Sequence, residues 1–161
     1  MKTDAELEDG TLPTDAVAVR ELRATDVAAL VKIDKASTGR PRLEYYATKT
    51  KSAVAEQKLR TSLVAELDGH VVGFLLARVY YGEFGHAEPV AVIDSVGVDP
   101  AFRGRNVGQA LMRQLLMNLG ALHVERVETM VDWTQLDLLA FLAKSGFRPA
   151  ARLCLERPLG A

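Results

Sequence analysis

Hydrophobic positions along this chain recur with two different periods, one typical of strands and one typical of helices. Residues 16–22 carry valines at alternate positions, which predicts a first strand. Residues 71–81 are apolar on both faces, which predicts a central strand that is covered on both sides. Residues 106–119 carry one apolar stripe at helical spacing, which predicts a helix. The other predicted strands are 62–67, 89–98, 124–132 and 152–156, and the other predicted helices are one that starts at Thr25, one over 44–59 and one from Thr134 to Gly146.

Residues typical of turns and helix ends predict the boundaries of these elements. Asp68-Gly69 is typical of a two-residue hairpin turn, and Pro100 ends a strand because it has no N–H to donate. Asp26 is expected in the N-terminal turn of the first helix. Gly120 is expected to end the helix predicted over 106–119. The resulting order, β-α-α-β-β-β-α-β-α-β, predicts an α/β (α+β) protein with a mixed sheet and helices packed on its faces.

Composition and charge narrow the class of protein. The 161 residues are 48% hydrophobic and 25% charged, and they suit one domain over 15–161 after an acidic tail over 1–14 that we expect to be poorly ordered. A net charge of −1 gives no reason to expect a nucleic acid or membrane partner. The single cysteine, Cys154, suits the cytoplasm and is expected to pack in the last strand as a small hydrophobe. Three scattered histidines and one cysteine predict no metal site.

The stretch from Val98 to Leu111 runs from a strand through a short basic loop into a helix. The first N–H groups of a helix have no partner within it and favour an anion. Gly104 and Gly108 keep side chains away from the backbone, and two neighbouring arginines add positive charge. On these grounds the loop is either a phosphate site or an ordinary turn with surface arginines. It is neither a Walker loop nor a dinucleotide fingerprint, because the glycine spacing and the following residues differ.

The same residues resemble the signature of the GNAT superfamily of N-acetyltransferases. The segment 103–108, Arg-Gly-Arg-Asn-Val-Gly, is similar to the signature R/Q-x-x-G-x-G/A, and 98–100 keeps the Val-x-Pro lead-in. Asn106 stands where the signature has its first glycine, and asparagine tolerates the backbone angles that such a position needs. Segment 141–147 is similar to the L-Y-x-x-x-G-F segment of the family. The resemblance is to stand-alone bacterial-type members.

This resemblance implies a mostly antiparallel central sheet of six to seven strands, splayed between two central strands and flanked by about four helices. It also implies acetyl-CoA as cosubstrate, with its pyrophosphate on the loop amides and its pantetheine arm paired with the preceding strand. The thioester would then lie between strands 90–98 and 124–132. The residues that the resemblance assigns to acetyl-CoA are Val96, Gly97, Val98, Arg103, Gly104, Arg105, Asn106, Val107, Gly108, Gln109 and Ala110.

The implied reaction is acetyl transfer to a primary amine by direct attack on the thioester. The amine must be neutral to attack, and the oxyanion needs a donor, for which we expect the N–H of Val96. Asp94 is the leading candidate for the base, because a carboxylate within an apolar strand is costly unless it faces a cleft or a partner. The alternative is that Asp94 caps a loop or pairs with Arg78. Asp132 and Glu128 are the next candidates.

The proton donor and the acceptor site are less defined. Leu142 stands where the family has its tyrosine acid, so Tyr81, the adjacent Tyr80, or water would protonate the thiolate. Glu83 and Phe84 lie in a loop expected on the acceptor side. Trp133 is either a wall of the acceptor pocket or a packed structural wedge.

The sequence thus predicts an acetyl-CoA-dependent N-acetyltransferase acting on a small amine, a protein N-terminus or a lysine side chain. The first alternative is a non-catalytic acyl-CoA-binding or regulatory module, which the loss of the tyrosine at Leu142 keeps open. The second is a protein-interaction domain without a ligand. A homodimer is expected, because a chain that ends soon after Glu156 leaves an edge strand in need of a partner.

Overall fold

The computed structural model describes residues 16–82, Gly85 and residues 87–160. The predicted tail over 1–14 and the two candidate acceptor-site residues Glu83 and Phe84 lie outside the described residues. The chain divides into a first compact unit that ends at Met130 and a second that begins at Val131. The expectation of one domain over 15–161 stays a prediction.

The first unit is built on a five-stranded sheet whose strands stand side by side in chain order. The first four strands are antiparallel to their neighbours, and the fifth runs parallel to the fourth. The strands are β1 Ala18–Glu21, β2 Leu63–Leu67, β3 His70–Tyr80, β4 Val90–Val98 and β5 Arg126–Thr129. The α-helices are α1 Val27–Thr38, α2 Leu43–Ala55, α3 Val107–Ala121 and, in the second unit, α4 Leu136–Lys144.

This architecture confirms the predicted mixed, mostly antiparallel sheet with four helices, but the described residues form five strands rather than six to seven. The predicted last strand over 152–156 is wrong: this segment has no strand structure. Leu153 and Leu155 are 88% and 87% exposed, so their alternation with polar residues buries no face. Alternation makes a strand only beside another strand edge, and no described strand pairs with this segment. Cys154 is exposed and is not packed as a small hydrophobe.

The hairpin between β2 and β3 confirms the predicted turn. Asp68 and Gly69 both have positive φ, 49° and 76°, as the two-residue turn that matches strand twist requires. The expectation that Gly120 ends its helix is wrong, because α3 continues to Ala121. The reversal falls three residues later, at His123 with φ 57°. A glycine ends a helix when it takes the left-handed conformation. After α3 the residue with that conformation is His123 rather than Gly120.

The helix α1 starts two residues later than the predicted start at Thr25. A 3-10 turn over Ala24–Asp26 precedes the helix, and the Asp26 side chain makes no cap bond to α1. Instead its carboxylate accepts hydrogen bonds from the backbone N–H of Arg23 at 2.7 Å and from the Arg20 guanidinium at 2.8 Å. The polar helix predicted over 44–59 is α2 and ends at Ala55, and the strand predicted over 124–132 is the shorter β5.

The sheet is covered by helices on both faces. Phe74 of β3 belongs to a core cluster with residues of α1 and α2. A Cβ built on its neighbour Gly73 would point at Val107 of α3. Successive residues of a strand point to opposite faces, so α1 and α2 lie on one face and α3 on the other. The buried apolar stripe of α3, as predicted, consists of Val107, Leu111, Leu115 and Leu119.

Candidate active site

The fourth strand changes partners halfway along its length. Its pairing with β5 ends where Ile93 lies opposite Thr129, and the Thr129 hydroxyl donates a hydrogen bond of 2.9 Å to the Ile93 carbonyl oxygen there. Its pairing with β3 shifts at the same level, since Ala77 lies opposite Ile93 and Leu76 opposite Ser95. Asp94 is therefore the extra residue of a β-bulge, a feature that re-aims side chains and ends pairing.

Past the bulge, β4 pairs only with β3 among the described strands. The Asp99 N–H donates to the Val72 carbonyl oxygen of β3 at 2.8 Å. In an antiparallel ladder the residues whose N–H and C=O groups face one neighbour alternate with residues whose groups face away. Gly97 therefore faces β3, and the backbone groups of Val96 and Val98 face the side from which β5 has departed. This stretch is an open strand edge in the middle of the protein's sheet.

Gly97 sets how closely this edge approaches the core. A Cβ at this position would lie 2.6 Å from a ring carbon of Phe74 and 3.4 Å from a methyl group of Ile33. Side chains essentially never come so close without displacing their neighbour. The glycine thus lets β4 run flat over the Phe74 ring, with its other edge left open.

The loop after β4 leads into α3 through an unusual backbone. The Asp99 carboxylate accepts a hydrogen bond from the Ala101 N–H at 3.0 Å, which starts a 3-10 turn over Pro100–Phe102. Gly104 has φ 78°, and Asn106 has φ 59°, as expected for the residue that replaces the signature glycine. The first helical bond of α3 runs from the Ala110 N–H to the Asn106 carbonyl oxygen. The amides of 107–109 therefore lie at the positive end of the helix dipole.

Two arginines add positive charge to this helix end. The Arg103 guanidinium donates to the Ser37 hydroxyl at 3.1 Å, which ties the loop to the end of α1. The Arg105 guanidinium lies 5.4 Å from the centroid of the Phe102 ring. Both arginines are exposed. The loop thus presents backbone donors and two guanidinium groups, which is what binding of a phosphate group requires.

Asp94 lies on the face that α2 covers. Its side chain is only 16% exposed, and its Oδ2 atom lies 3.2 Å from Nζ of Lys49. The alternative partner considered from the sequence, Arg78, is instead bound to Glu56 at 3.2 Å, so that pairing is wrong. The carboxylate therefore has a primary ammonium group within ion-pair distance.

Besides Lys49, the helix α2 brings Tyr45 to the bulge. Its hydroxyl lies 2.8 Å from the Ser95 hydroxyl, and it stands one helical turn before Lys49 on the same face of the helix. Reasoning from the sequence missed both residues, because α2 is a polar helix with little periodicity. The only available signal was the i, i+4 spacing of a tyrosine and a lysine.

A buried carboxylate holds the loop between α1 and α2 in place. Arg42 donates two hydrogen bonds to the carboxylate of Asp34, and the Tyr46 hydroxyl donates a third at 3.1 Å. The Arg42 hydrogen bonds hold the pKa of Asp34 below its usual range, and burial raises the pKa of Tyr46. Since Tyr46 adjoins Tyr45, this cluster fixes the helix face that meets β4.

The other described candidates of the first unit are Tyr81 and Glu128. Tyr81 is 64% exposed and follows the end of β3. Its position is four residues beyond Ala77, or about 13 Å along the strand from the level of Asp94. Glu128 of β5 lies opposite Val92, and its carboxylate is 2.9 Å from Nε of Arg126.

The second unit carries the remaining candidates. The Asp132 carboxylate accepts hydrogen bonds from the Thr134 N–H at 3.0 Å and from its hydroxyl at 2.9 Å, and these bonds lower the pKa of Asp132. Trp133 is 91% exposed, so it is not a packed wedge. Leu142, at the position of the expected tyrosine, is a buried residue of α4.

Two further properties follow from the described part of the chain. None of its helices has the length and apolar character needed to cross a membrane. Within the same residues, no three histidine, cysteine, aspartate or glutamate side chains come together in a way that could hold a metal ion.

Comparison with known proteins identifies a family. The family described as "Acetyltransferase (GNAT) family" matches residues 27–147. A search of curated proteins finds no match.

Solved structures share the fold at low sequence identity. A transcriptional regulator from Bacillus halodurans C-125 is 21% identical with a TM-score of 0.71, over 89% of this chain and 99% of that one. A ribosomal-protein-alanine N-acetyltransferase from Brucella melitensis biovar Abortus 2308 is 18% identical with a TM-score of 0.69, over 89% and 99%. AAC(6')-Iy, in complex with a bisubstrate analogue of CoA and acetylneamine, is 17% identical with a TM-score of 0.68, over 89% and 99%.

Proposed function

The chain belongs to the GNAT acetyltransferase family, and we propose that it is an acetyl-CoA-dependent N-acetyltransferase that acts on a primary amine by direct attack on the thioester. The observation that carries this proposal is the parting of β4 and β5 after Ile93. The parting leaves a strand edge beside a carboxylate and one strand end away from a phosphate-binding loop. An acyl-CoA has a thioester, an amide-bearing arm and a pyrophosphate in that order, which matches the order of the carboxylate, the strand edge and the loop along the chain.

The open edge fits the pantetheine arm of acetyl-CoA. The outward N–H and C=O groups of Val96 and Val98 can pair with the amides of that arm as an added strand would. The amides of 107–109 and the guanidinium groups of Arg103 and Arg105 fit the pyrophosphate. Acetyl-CoA is thus the proposed cosubstrate. Its proposed contacts are the residues that the signature implied, from Val96 to Val98 and from Arg103 to Ala110.

Asp94 is the proposed general base. A protonated amine that replaces the Lys49 ammonium at this carboxylate loses its proton there, and the neutral amine attacks the thioester carbonyl carbon. The outward N–H of Val96 donates to the oxyanion that forms. The CoA thiolate then leaves, and water protonates it. With a thiol pKa near 8.5, departure without a protein acid is feasible at neutral pH, which suits the leucine at position 142.

The remaining candidates are proposed in the roles that the sequence predicted for them. Tyr81 is the proposed alternative acid, and Glu128 and Asp132 are alternative bases. Glu83, Phe84 and Trp133 are proposed to contact the acceptor.

The acceptor is proposed as a primary amine of a small molecule, a protein N-terminus or a lysine side chain. The competing function is a non-catalytic acyl-CoA-binding module, which the buried Leu142 favours because it supplies no proton. The two functions differ in one observable. An enzyme releases CoA when an amine is added, whereas a binding module holds acetyl-CoA unchanged.

The test is therefore the rate of CoA release from acetyl-CoA with and without a panel of amines. The panel would contain peptides with free N-termini, peptides with one internal lysine and an acetylated N-terminus, polyamines and aminoglycosides. Because Cys154 is an exposed thiol, the assay should use the Cys154→Ser variant or separate CoA chromatographically. Release that at least one amine accelerates supports the enzyme. Binding of acetyl-CoA without release by any amine supports the module.

We also propose that the protein forms a homodimer through its C-terminal segment. Leu153, Leu155 and Leu159 are all almost fully exposed in the single chain, and the first two belong to the segment 152–156, whose sequence has a strand pattern. Large exposed apolar side chains are costly in water and mark interaction sites. Pairing of residues 152–156 with a second copy would bury two of these leucines in each chain.

A further inference from the structure

Lys49 forms an ion pair with the proposed base. Its Nζ atom lies 3.2 Å from Oδ2 of Asp94, and its side chain is 27% exposed. The same Nζ atom lies 5.7 Å from the centroid of the Tyr45 ring, whose electrons favour a cation. A primary ammonium group is therefore held where an acceptor ammonium has to lie to lose its proton to Asp94.

We propose that this chain acetylates its own Lys49, so that Lys49 is an internal acceptor and a modification site. This inference rests on the proposed function, since it needs acetyl-CoA in the slot beside β4. It goes further because it names a product that forms without any external amine.

The chemistry needs no additional reactant. The Asp94 carboxylate takes a proton from the Lys49 ammonium, and the Nζ lone pair attacks the thioester carbonyl carbon. As the tetrahedral intermediate collapses, the carbon–sulfur bond breaks and its electron pair leaves on the CoA sulfur. The second Nζ proton passes through water to the departing sulfur, and Asp94 releases the first proton to solvent, so one acetyl-CoA and one lysine ammonium group become one CoA thiol, one acetyl-lysine and one proton.

The position of Lys49 distinguishes it from Lys51, the other lysine of the same helix. Lys51 lies two residues further along α2, so it points to a different side of the helix, and it is exposed. Any lysine can react slowly with acetyl-CoA in solution. Acetylation of Lys51 therefore measures the background that the thioester alone produces.

Modification would change the site. Acetylation removes the charge of Lys49, so the ion pair with Asp94 is lost. The carboxylate then no longer has to exchange one cation for another when an external amine arrives. Self-acetylation would thus raise the apparent affinity for the external acceptor.

The experiment is incubation of the full chain with acetyl-CoA in the absence of any amine, followed by digestion and mass spectrometry. We expect Lys49 to gain one acetyl group at least about tenfold faster than Lys51, at a rate per molecule that does not depend on protein concentration. In the Asp94→Asn variant the rate at Lys49 should fall to that of Lys51, while the rate at Lys51 stays the same. The Lys49→Arg variant should lose CoA release in the absence of amine, and Lys51→Arg should keep it.

Calorimetry with acetyl-CoA on the same proteins separates the two ways of failing. If acetyl-CoA binds and external amines release CoA, but Lys49 reacts no faster than Lys51, the self-acetylation is wrong and the proposed function stands. If the rates at Lys49 are equal in the wild type and in Asp94→Asn, the proposed role of Asp94 in this step is wrong. If acetyl-CoA does not bind, both proposals are wrong.

Discussion

The carboxylate of Asp94 occupies a position that a strand rarely gives to a charged residue. An unpaired carboxylate in an apolar environment costs several kcal/mol or loses its charge. The bulge turns this residue and the next toward α2, where Lys49 and Tyr45 meet them. The carboxylate therefore has a flexible partner, and the proposed mechanism requires this lysine side chain to move away when a substrate amine takes its place.

The first prediction concerns this residue. Asp94→Asn should lower kcat for amine acetylation by about 10²- to 10³-fold, since the amide cannot accept the proton. The dissociation constant for acetyl-CoA should stay within about a factor of two of the wild-type value, because the substitution removes a group needed only for the reaction. Steady-state CoA release and calorimetry measure the two quantities. Asp68→Asn, in the exposed hairpin turn, is the control and should change neither. A normal kcat in Asp94→Asn would make Asp94 structural.

The second prediction concerns Asp34 and acid. Because the Arg42 hydrogen bonds lower the folded-state pKa of Asp34, its contribution to stability is complete above the unfolded-state pKa, near 3.9, and is lost as the pH falls through the folded-state value. Asp34→Asn should lower the free energy of unfolding at pH 7 by about 1–2 kcal/mol, a modest figure because Arg42 is half-exposed.

Urea unfolding at pH 7 and at about pH 3 measures this effect. The difference in free energy of unfolding between Asp34→Asn and the wild type should be smaller at the lower pH. There the Asp34 carboxyl of the unfolded wild type gains a proton, which removes part of the contribution of its charge. An equal difference at both values would show that packing, rather than charge, is what Asp34 contributes.

For single residues, the sequence predicted the properties that depend only on the residue type and its neighbours along the chain. Asn106 was predicted to take the place of a glycine because asparagine tolerates positive φ, and its φ is 59°. The partner of Asp94 was not predicted, because Lys49 lies 45 residues earlier along the chain. Only the packing of α2 on the sheet brings them together. Contacts across such a separation leave no periodic signal in one sequence.

At the scale of elements, the position of α3 depends on a glycine of β3. A Cβ at Gly73 would lie 2.7 Å from a methyl group of Val107, 3.2 Å from Leu111 and 3.3 Å from the Gly97 carbonyl oxygen. The first turn of α3 can therefore lie directly on the sheet beside the open edge of β4. The loop before α3 and the open edge are held together by this close approach.

The third prediction follows from that contact. Gly73→Ala should displace the first turn of α3, lower the free energy of unfolding by about 1–3 kcal/mol and weaken acetyl-CoA binding. Gly120→Ala is the matched control, because a Cβ there meets nothing within 4 Å and alanine favours a helix by about 0.5–1 kcal/mol. Urea unfolding and calorimetry measure the two effects. An undiminished affinity in Gly73→Ala would separate the loop from the sheet contact.

Elements were predicted well where their own pattern decides them. The apolar stripe of α3 and the doubly covered β3 are buried as expected, since burial of an apolar face suffices to define each. The segment 152–156 has the pattern of a strand but no strand partner among the described residues. A strand needs a neighbour, and its own sequence does not say whether that neighbour exists. The early end of β5 had no signal for the same reason.

At the scale of the whole molecule, the exposed leucines lead to the fourth prediction. Leu153→Glu combined with Leu155→Glu should convert the proposed homodimer to a monomer, because two charges on each chain would face each other across the pairing. Light scattering after size-exclusion chromatography gives the mass directly. Leu122→Glu, at an exposed site after α3, is the control and should leave the mass unchanged. A monomeric wild type at micromolar concentration would contradict the dimer.

The central claim is that the chain binds acetyl-CoA at the loop before α3, and titration calorimetry with acetyl-CoA tests it most directly. The wild type, Gly108→Val and Gly120→Val would be compared, because the two variants carry the same change at opposite ends of one helix. We expect wild type and Gly120→Val to bind alike, and Gly108→Val to bind at least about tenfold more weakly, or 1.4 kcal/mol, because valine crowds the approach of phosphate oxygens. Equal binding by all three folded proteins would remove the loop from the site, and no binding by the folded wild type would contradict the function itself.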